Sequence, residues 1–161
     1  MPSLCNYFSY RDIKCSRITN DEIEEVVALI NKEYSYQDAY RRSPRTNHKN
    51  LEEHISESEF YVFKHNNRII GCVYIEMNST QKVYFGLLTI DKQYGSMGIG
   101  KEITKSVERY VKSIGKTELL LAYMHIAPWL KSYYEKLGFK ENGDEWNWDG
   151  IRLIHMHKTL S

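Results

Sequence analysis

The sequence predicts a mixed α/β fold (α+β, built on one mixed sheet) with its elements in the order β-α-(α)-β-β-β-α-β-α-β-β. Three observations carry this prediction. A meander of strands lies mid-chain, a glycine-rich turn leads from its last strand into an amphipathic helix, and an apolar strand follows that helix. A strand, a helix and another strand in series imply a parallel crossover. With 161 residues, the chain is expected to form one domain, 1–161.

The composition argues against several classes of function. Lysine and arginine total 22 and aspartate and glutamate total 21, so the net charge of +1 indicates neither a nucleic-acid arm nor a polybasic membrane patch. Hydrophobic residues make up 42% of the chain, which argues against disorder. No signal segment and no apolar run of ~18 residues is found. We therefore expect a cytoplasmic protein that binds neither nucleic acid nor membrane.

The three cysteines, Cys5, Cys15 and Cys72, are predicted to be reduced thiols. Their number is odd, and no two of them have the two-residue spacing of a metal or redox motif. His155 and His157 share one face of a predicted strand, which is one way to hold a metal ion. Because no third ligand lies nearby in the sequence, we predict ordinary strand histidines and no metal site.

The first third of the chain predicts a strand over 13–18 and then a helix. Thr19 and Glu22 have the spacing of a capping box at a helix start. Apolar residues follow at helical spacing and predict one buried face, formed by Ile23, Val26, Val27 and Ile30. The stretch 31–50 is rich in tyrosine and arginine, and it is either a solvated connection or a lid over a substrate site. A short helix is predicted at 51–56.

The middle of the chain predicts three strands at 60–64, 69–77 and 81–90, with turns at 65–68 and 78–80. A long helix follows, with one apolar face formed by Ile99, Ile103, Val107, Val111 and Ile114, and it ends at Gly115. The continuous apolar segment 119–124 predicts a strand that is buried on both faces.

The end of the chain predicts one helix and two strands. Pro128 suits the first turn of the helix and Gly138 suits its end. The strands are predicted at 139–142 and 151–157, joined by a polar loop, GDEWNWDG. The aromatic and acidic residues of this loop form either a site for a cationic amine or a solvated turn; they are Asp144, Glu145, Trp146, Trp148 and Asp149.

The most informative segment is IDKQYGSMGIGK at 90–101. Gly95, Gly98 and Gly100 lie between a strand and a helix, where glycine permits a positive φ and the close approach of a ligand. The free N–H groups and the dipole at the helix start favour an anion such as a phosphate, and Lys101 adds a positive charge. The glycine spacing differs from that of the Walker loop and the dinucleotide fingerprint. A tight turn without a ligand is the alternative.

A second segment, YYEKLGF at 133–139, ends the last predicted helix. Together the two segments resemble those of the GNAT superfamily of acyl-CoA-dependent N-acetyltransferases, and the element order is similar to that of the family's fold. The resemblance covers 60–160 well and the first third of the chain loosely. It implies transfer of an acetyl group from acetyl-CoA to a primary amine, on a small molecule or a peptide, by direct attack. A homodimer is left open.

The resemblance also assigns site residues. It places the pantetheine arm of the co-substrate, acetyl-CoA, along Leu88 and Ile90. It places the pyrophosphate on the glycine turn, formed by Gly95, Ser96, Met97, Gly98, Gly100 and Lys101. Tyr134 is expected to protonate the departing thiolate, because a phenol with a pKa of ~10 remains protonated at neutral pH. Tyr133 is expected to be a packing or rim residue. Gly86 is compatible with a strand bulge or a close approach.

Three features depart from the family pattern. Gly95 stands where the family has Arg or Gln, Ala127 stands where it often has Asn, and the third strand of the meander has no evident carboxylate to act as a base. The candidates for accepting the amine proton through water are Glu76, Tyr84 and His125. Two other functions remain open: a non-catalytic acyl-CoA sensor or interaction module on the same fold, and a phosphate-binding protein unrelated to CoA.

Overall fold

The computed structural model describes residues 2–41, 43–77, 79–148 and 150–161. Its strands are β1 (Lys14–Arg17), β2 (Glu59–His65), β3 (Arg68–Glu76), β4 (Lys82–Ile90), β5 (Glu118–Met124), β6 (Lys140–Trp148) and β7 (Ile151–Thr159). Its helices are α1 (Ile23–Glu33), α2 (His48–Glu57), α3 (Ile99–Ser113) and α4 (Trp129–Lys136). Of the residues named above, Asn78 of the predicted turn 78–80 and Asp149 of the predicted loop lie outside the described residues.

The described strands form one seven-stranded sheet in the order β1-β2-β3-β4-β5-β7-β6. Neighbouring strands are antiparallel except β4 and β5, which are parallel because α3 crosses over between them. In the predicted turn between β2 and β3, Asn66 and Asn67 have φ values of 52° and 63°, a left-handed conformation that asparagine tolerates. The predicted mixed α/β class and the order of elements are therefore confirmed.

The helix boundaries follow from local capping. Thr19 and Glu22 form the predicted capping box, but they start a 3₁₀ turn (Asn20–Glu22) that leads directly into α1. The second helix begins earlier than predicted because the side chain of Asn47 accepts the backbone N–H of Asn50 at 2.8 Å. Gly115 and Gly138 follow α3 and α4 with φ values of 83° and 97°, which glycine adopts without strain.

The hydrophobic core has two parts, one on each face of the sheet. Alternate residues of β2 point to opposite faces, so that Tyr61 and Phe63 pack with α3 whereas Phe60 and Val62 pack with α1 and α2. All four side chains are essentially inaccessible to solvent. Within the described residues, no helix combines the length and the apolar content that a membrane crossing requires.

Two predicted details are wrong. The polar segment 143–148 is not a loop: β6 continues to Trp148, which pairs with Ile151 of β7. This segment is exposed and has no alternation of apolar and polar residues, so its local sequence resembles that of a loop. Its strand conformation comes from its pairing with β7. Strand β5 is not buried on both faces, because Leu120 and Ala122 are only partly buried and face a cavity.

Candidate active site

The site originates where two parallel strands separate. Strands β4 and β5 pair only at their first residues, at Lys82–Glu118, Val83–Leu119 and Tyr84–Leu120. Beyond that point β5 continues to pair with β7, and β4 continues to pair with β3. The sheet is therefore open between β4 and β5 over the second half of both strands.

A bulge in β4 accompanies this separation. The register between β3 and β4 shifts between Cys72 and Tyr74, and Leu87 has a positive φ of 50°. The adjacent Gly86 is a close approach, since a Cβ there would lie 2.7 Å from the hydroxyl oxygen of Tyr74. The predicted bulge or close approach at Gly86 thus takes both forms, with the bulge one residue further along the strand.

A cavity of about 1130 Å³ occupies the opening. One half of it, which we call the turn half, is lined by Leu88, Ile90, Gly95, Gly98, Gly100 and Lys101. The other half, which we call the aromatic half, is bounded by the end of α1, by α2 and by the β6–β7 hairpin. Its walls include Tyr34, Tyr36, Tyr74, Tyr84, Trp146 and Trp148.

In the turn half, the glycine turn enters α3 through Gly98, whose φ of 75° is left-handed. The first N–H groups of α3 have no partner within the helix and are available to a ligand. Asp91 holds the start of the turn: the residue is 1% exposed, and its carboxylate accepts the N–H of Gln93 at 3.0 Å. Arg68 and Lys32 pair with the same carboxylate at 2.7 Å and 3.2 Å.

The residues predicted to bind the co-substrate fall into two groups in the structure, those that line the cavity and those that do not. The residues predicted to bind the co-substrate line the cavity except Ser96, which is exposed, and Met97, which packs against the core. The backbone carbonyl of Met97 accepts the Tyr10 hydroxyl at 2.5 Å. This contact ties the turn to the N-terminal segment, a link that the sequence did not indicate.

Tyr134 lies in the cavity wall between the two halves. The residue is 9% exposed, and its ring packs edge-on against Tyr133 and Phe139, at centroid distances of 5.0 Å and 5.9 Å. Burial, reinforced by the neighbouring tyrosines, raises the pKa of the Tyr134 hydroxyl. The phenol therefore holds its proton throughout the physiological range. The Tyr133 hydroxyl instead lies 3.4 Å from the position of a Cβ on Gly100.

The predicted proton acceptors are distributed unequally. Glu76 and Tyr84 line the cavity, and burial raises the pKa of both groups. His125 does not line the cavity, and its Nδ1 accepts the backbone N–H of Arg152 at 2.9 Å. His155 does line it, and its buried Nε2 has no hydrogen-bond partner among the described residues.

His155 and His157 make separate contacts in the structure. His157 is paired with Glu118 at 2.9 Å, whereas His155 packs on Trp146 at a ring-centroid distance of 5.1 Å. Burial lowers the pKa of His155, so this imidazole is neutral at pH 7. No group of three or more histidine, cysteine or acidic side chains suited to a metal is found in the part of the chain that the structure describes.

The aromatic half contains residues that the sequence did not single out. His54 packs on Tyr74 at a ring-centroid distance of 4.5 Å, and Gln37 is fully buried beside Tyr36. Arg45 reaches the same half from the segment 31–50. Part of that segment thus belongs to the cavity wall and is not a wholly solvated connection. The only hint in the sequence was its density of tyrosine and arginine.

A comparison with protein families agrees with this geometry. The model of the family described as "Acetyltransferase (GNAT) domain" matches residues 30–160. The chain therefore belongs to the GNAT family of acetyltransferases, and it is an acyltransferase. The resemblance predicted from the two sequence segments is confirmed. A comparison with curated protein sequences gives no match.

Solved structures show the same fold. The protein smu.2055 from Streptococcus mutans UA159 is 22% identical, with a TM-score of 0.77 and coverage of 92% of this chain and 99% of that one. The ribosomal-protein-S18-alanine N-acetyltransferase from Escherichia coli is 16% identical, with a TM-score of 0.74 and coverage of 92% and 94%. A GNAT family acetyltransferase from Elizabethkingia anophelis with acetyl-CoA bound is 16% identical, with a TM-score of 0.68 and coverage of 94% and 100%.

Proposed function

We propose that the chain, as one GNAT domain over 1–161, transfers an acetyl group from acetyl-CoA to a primary amine by direct attack. The observation that carries this proposal is the continuous cavity between β4 and β5. It joins a turn suited to an anion to the aromatic half, with the protonated Tyr134 between them. Acetyl transfer needs such a continuous cavity, because the anionic acetyl donor and the amine acceptor must meet within it.

The turn half fits the charge and shape of acetyl-CoA. The N–H groups at the start of α3 suit a pyrophosphate, and Lys101 adds a positive charge at the same end. Leu88 and Ile90 present the unpaired edge of β4 to the pantetheine arm. The carbonyl of Leu88 already accepts the Tyr34 hydroxyl at 3.0 Å, so we assign the remaining contacts to the residues beyond it. The Elizabethkingia anophelis structure with acetyl-CoA bound supports this assignment by fold.

We assign Tyr134 the role of general acid. The amine nitrogen attacks the thioester carbonyl, the carbon–sulfur bond breaks, and the Tyr134 hydroxyl donates its proton to the departing sulfur. The proton lost by the amine passes through water to the cavity wall. Glu76, Tyr84 and the neutral His155 line that wall and are our candidates to take it, whereas His125 does not line the cavity. No cysteine in the described cavity wall offers an acyl-enzyme route.

Two measurements together test the proposal. Acetyl-CoA at about 100 times its Kd is expected to raise the unfolding temperature by roughly 5–10 °C, since this stabilises the fold by ~2.7 kcal/mol. Thiol release from acetyl-CoA should then depend on an added primary amine. Binding without amine-dependent release in a broad amine panel would support the acyl-CoA sensor instead. The absence of any shift in a folded protein would overturn both.

A further inference from the structure

The segment that joins α1 to α2 is anchored rather than free. The N–H of Thr46 donates to Asn31 Oδ1 at 2.9 Å, and Asn31 Nδ2 donates back to the Thr46 carbonyl at 3.1 Å. The Thr46 hydroxyl, in a residue that is 4% exposed, bonds Asn50 at 2.6 Å. These bonds fix the backbone immediately after Arg45, so the direction of that side chain is set by the fold.

Arg45 projects into the aromatic half of the cavity. The central carbon of its guanidinium lies 4.7 Å from the ring centre of Trp148 and 5.5 Å from that of Tyr34. Its Nε is buried, and none of its N–H groups donates to a described residue. No described carboxylate forms an ion pair with it either. Within the described residues, the guanidinium is thus held in place by two aromatic rings and forms no hydrogen bond.

The positive charge of Arg45 acts on the surrounding cavity wall. Burial raises the pKa of Tyr34 to about 12, and the charge of Arg45 opposes that rise. The same opposition acts on the raised pKa values of Tyr74 and Tyr84. Burial, assisted by Arg45, lowers the pKa of His54, so this imidazole does not add a second positive charge at pH 7. Two arginines lie on the Trp148 ring, Arg41 at 3.8 Å and Arg45 at 4.7 Å. Arg45 is the one that lines the cavity and whose charge acts on all four of these groups.

We propose that Arg45 forms an anion subsite, and that the acceptor is a small amine that carries a carboxylate. The planar guanidinium matches a carboxylate with two parallel hydrogen bonds, and a partly buried charge without a partner is unfavourable until a ligand supplies one. Glu76 and Asp144 line the same half and complement the ammonium end of such a molecule. This inference rests on the proposed acetyl transfer and narrows its substrate class to amino acids and related amino carboxylates.

Matched pairs of amines provide the test. Each pair consists of an amino acid and its decarboxylated amine: phenylalanine with phenethylamine, tyrosine with tyramine, and 4-aminobutyrate with propylamine. The wild-type protein is expected to favour the carboxylate member by about tenfold or more in kcat/KM. In Arg45→Gln, the ratio of acid to amine should fall about tenfold to hundredfold, as expected for the loss of a charge-assisted pair. Arg45→Lys keeps the positive charge but not the two parallel N–H donors of the guanidinium, so its ratio of acid to amine should be intermediate.

A binding measurement makes the result independent of turnover. The N-acetylated members of each pair are titrated into CoA-saturated protein, and Arg17→Gln, on β1 and paired with Glu59, serves as the matched control. Equal affinity for acid and amine, no binding of either, or an unchanged ratio in Arg45→Gln would overturn the anion subsite. A protein that acetylates only carboxylate-free amines would also overturn it and would leave the acetyltransferase proposal standing. If the wild-type protein does not bind acetyl-CoA, the acetyltransferase proposal itself fails, and this outcome is distinct from the failure of the anion subsite.

Discussion

Replacing Tyr134 by phenylalanine removes one oxygen atom from the wall of the cavity. The ring packs against Tyr133 and Phe139, and these contacts do not involve the hydroxyl. No described residue forms a hydrogen bond with that hydroxyl, so its removal leaves no buried group without a partner. The unfolding free energy of Tyr134→Phe is therefore expected to change by less than about 0.5 kcal/mol.

Catalysis by the same variant should change far more. Proton donation by a positioned side chain contributes about 10²–10⁴ in rate, or ~2.7–5.5 kcal/mol of barrier. The assay is release of free CoA thiol with a saturating amine, recorded beside thermal unfolding with acetyl-CoA. We expect kcat to fall within that range while the shift in unfolding temperature that acetyl-CoA causes persists.

Tyr133→Phe is the matched control, because it removes the same atom from the neighbouring residue. The Tyr133 hydroxyl lies near Gly100, at the start of α3. Its loss should change the KM for acetyl-CoA, if anything, and leave kcat within about threefold. A Tyr134→Phe protein that retains wild-type kcat, or that loses no more than Tyr133→Phe does, would refute the assignment of the general acid.

The remaining predictions concern the glycine turn, its anchor and the N-terminal thiols. Gly98→Val places a branched residue at a φ of 75°, so it should lower the unfolding free energy by ~1–2 kcal/mol. It should also abolish the rise in unfolding temperature that acetyl-CoA causes. The control is Gly115→Val, at a φ of 83° outside the cavity, which should be less stable but keep that rise. For Asp91, burial raises the pKa, but the Gln93 N–H and Lys32 outweigh it, so the folded pKa lies below the unfolded one. The ionised carboxylate therefore stabilises the fold above pH ~4, and this stabilisation is lost as the pH falls through the folded pKa. Asp91→Asn should lower the unfolding free energy, measured by chemical denaturation, by about 1–2 kcal/mol at pH 7 and by less below pH 4. A difference from the wild type that stays constant across this pH range would contradict the prediction. A hydrogen bond with Cys15 outweighs burial and lowers the pKa of Cys5 to about 7, whereas burial raises that of Cys72 to about 12. Iodoacetamide at pH 7 should therefore modify Cys5 well before Cys72, as peptide mass mapping would show, and equal rates would count against this.

The fold could be predicted because its punctuation is local. The glycine that starts α3 and those that end α3 and α4 adopt the left-handed conformations that their positions in the pattern require. The capping box of Thr19 needed only residues three apart. The segment 143–148 could not be predicted in this way, since its strand conformation comes from pairing with residues across the hairpin.

A single motif predicted the turn half of the site, whereas the aromatic half was indicated only as one of two alternatives, at 31–50 and at 144–149. The turn half is contiguous in sequence, so a motif could indicate it. The aromatic half brings together α1, α2, β3, β4 and the β6–β7 hairpin, and no local pattern places Arg45 or His155 in one wall. The sequence analysis named His125 as a candidate proton acceptor and predicted His155 to be an ordinary strand histidine. Only the pairing of β7 with β5, which sets Ala122 opposite His155, distinguishes them.

The separation of β4 from β5 gives this sheet two edges inside the molecule. Exposed strand edges are ordinarily found at the rim of a sheet, where they invite pairing with other chains. Here the edges face each other across a cavity, and a bound strand-like ligand would cover the β4 edge as an additional strand. Amide exchange along that edge, at Leu88 and Ile90, should slow when the cavity is filled, while the paired start at Lys82–Tyr84 should change little. The sheet would thus be complete only when a ligand is bound, and the local stability of β4 would show directly whether the cavity is occupied.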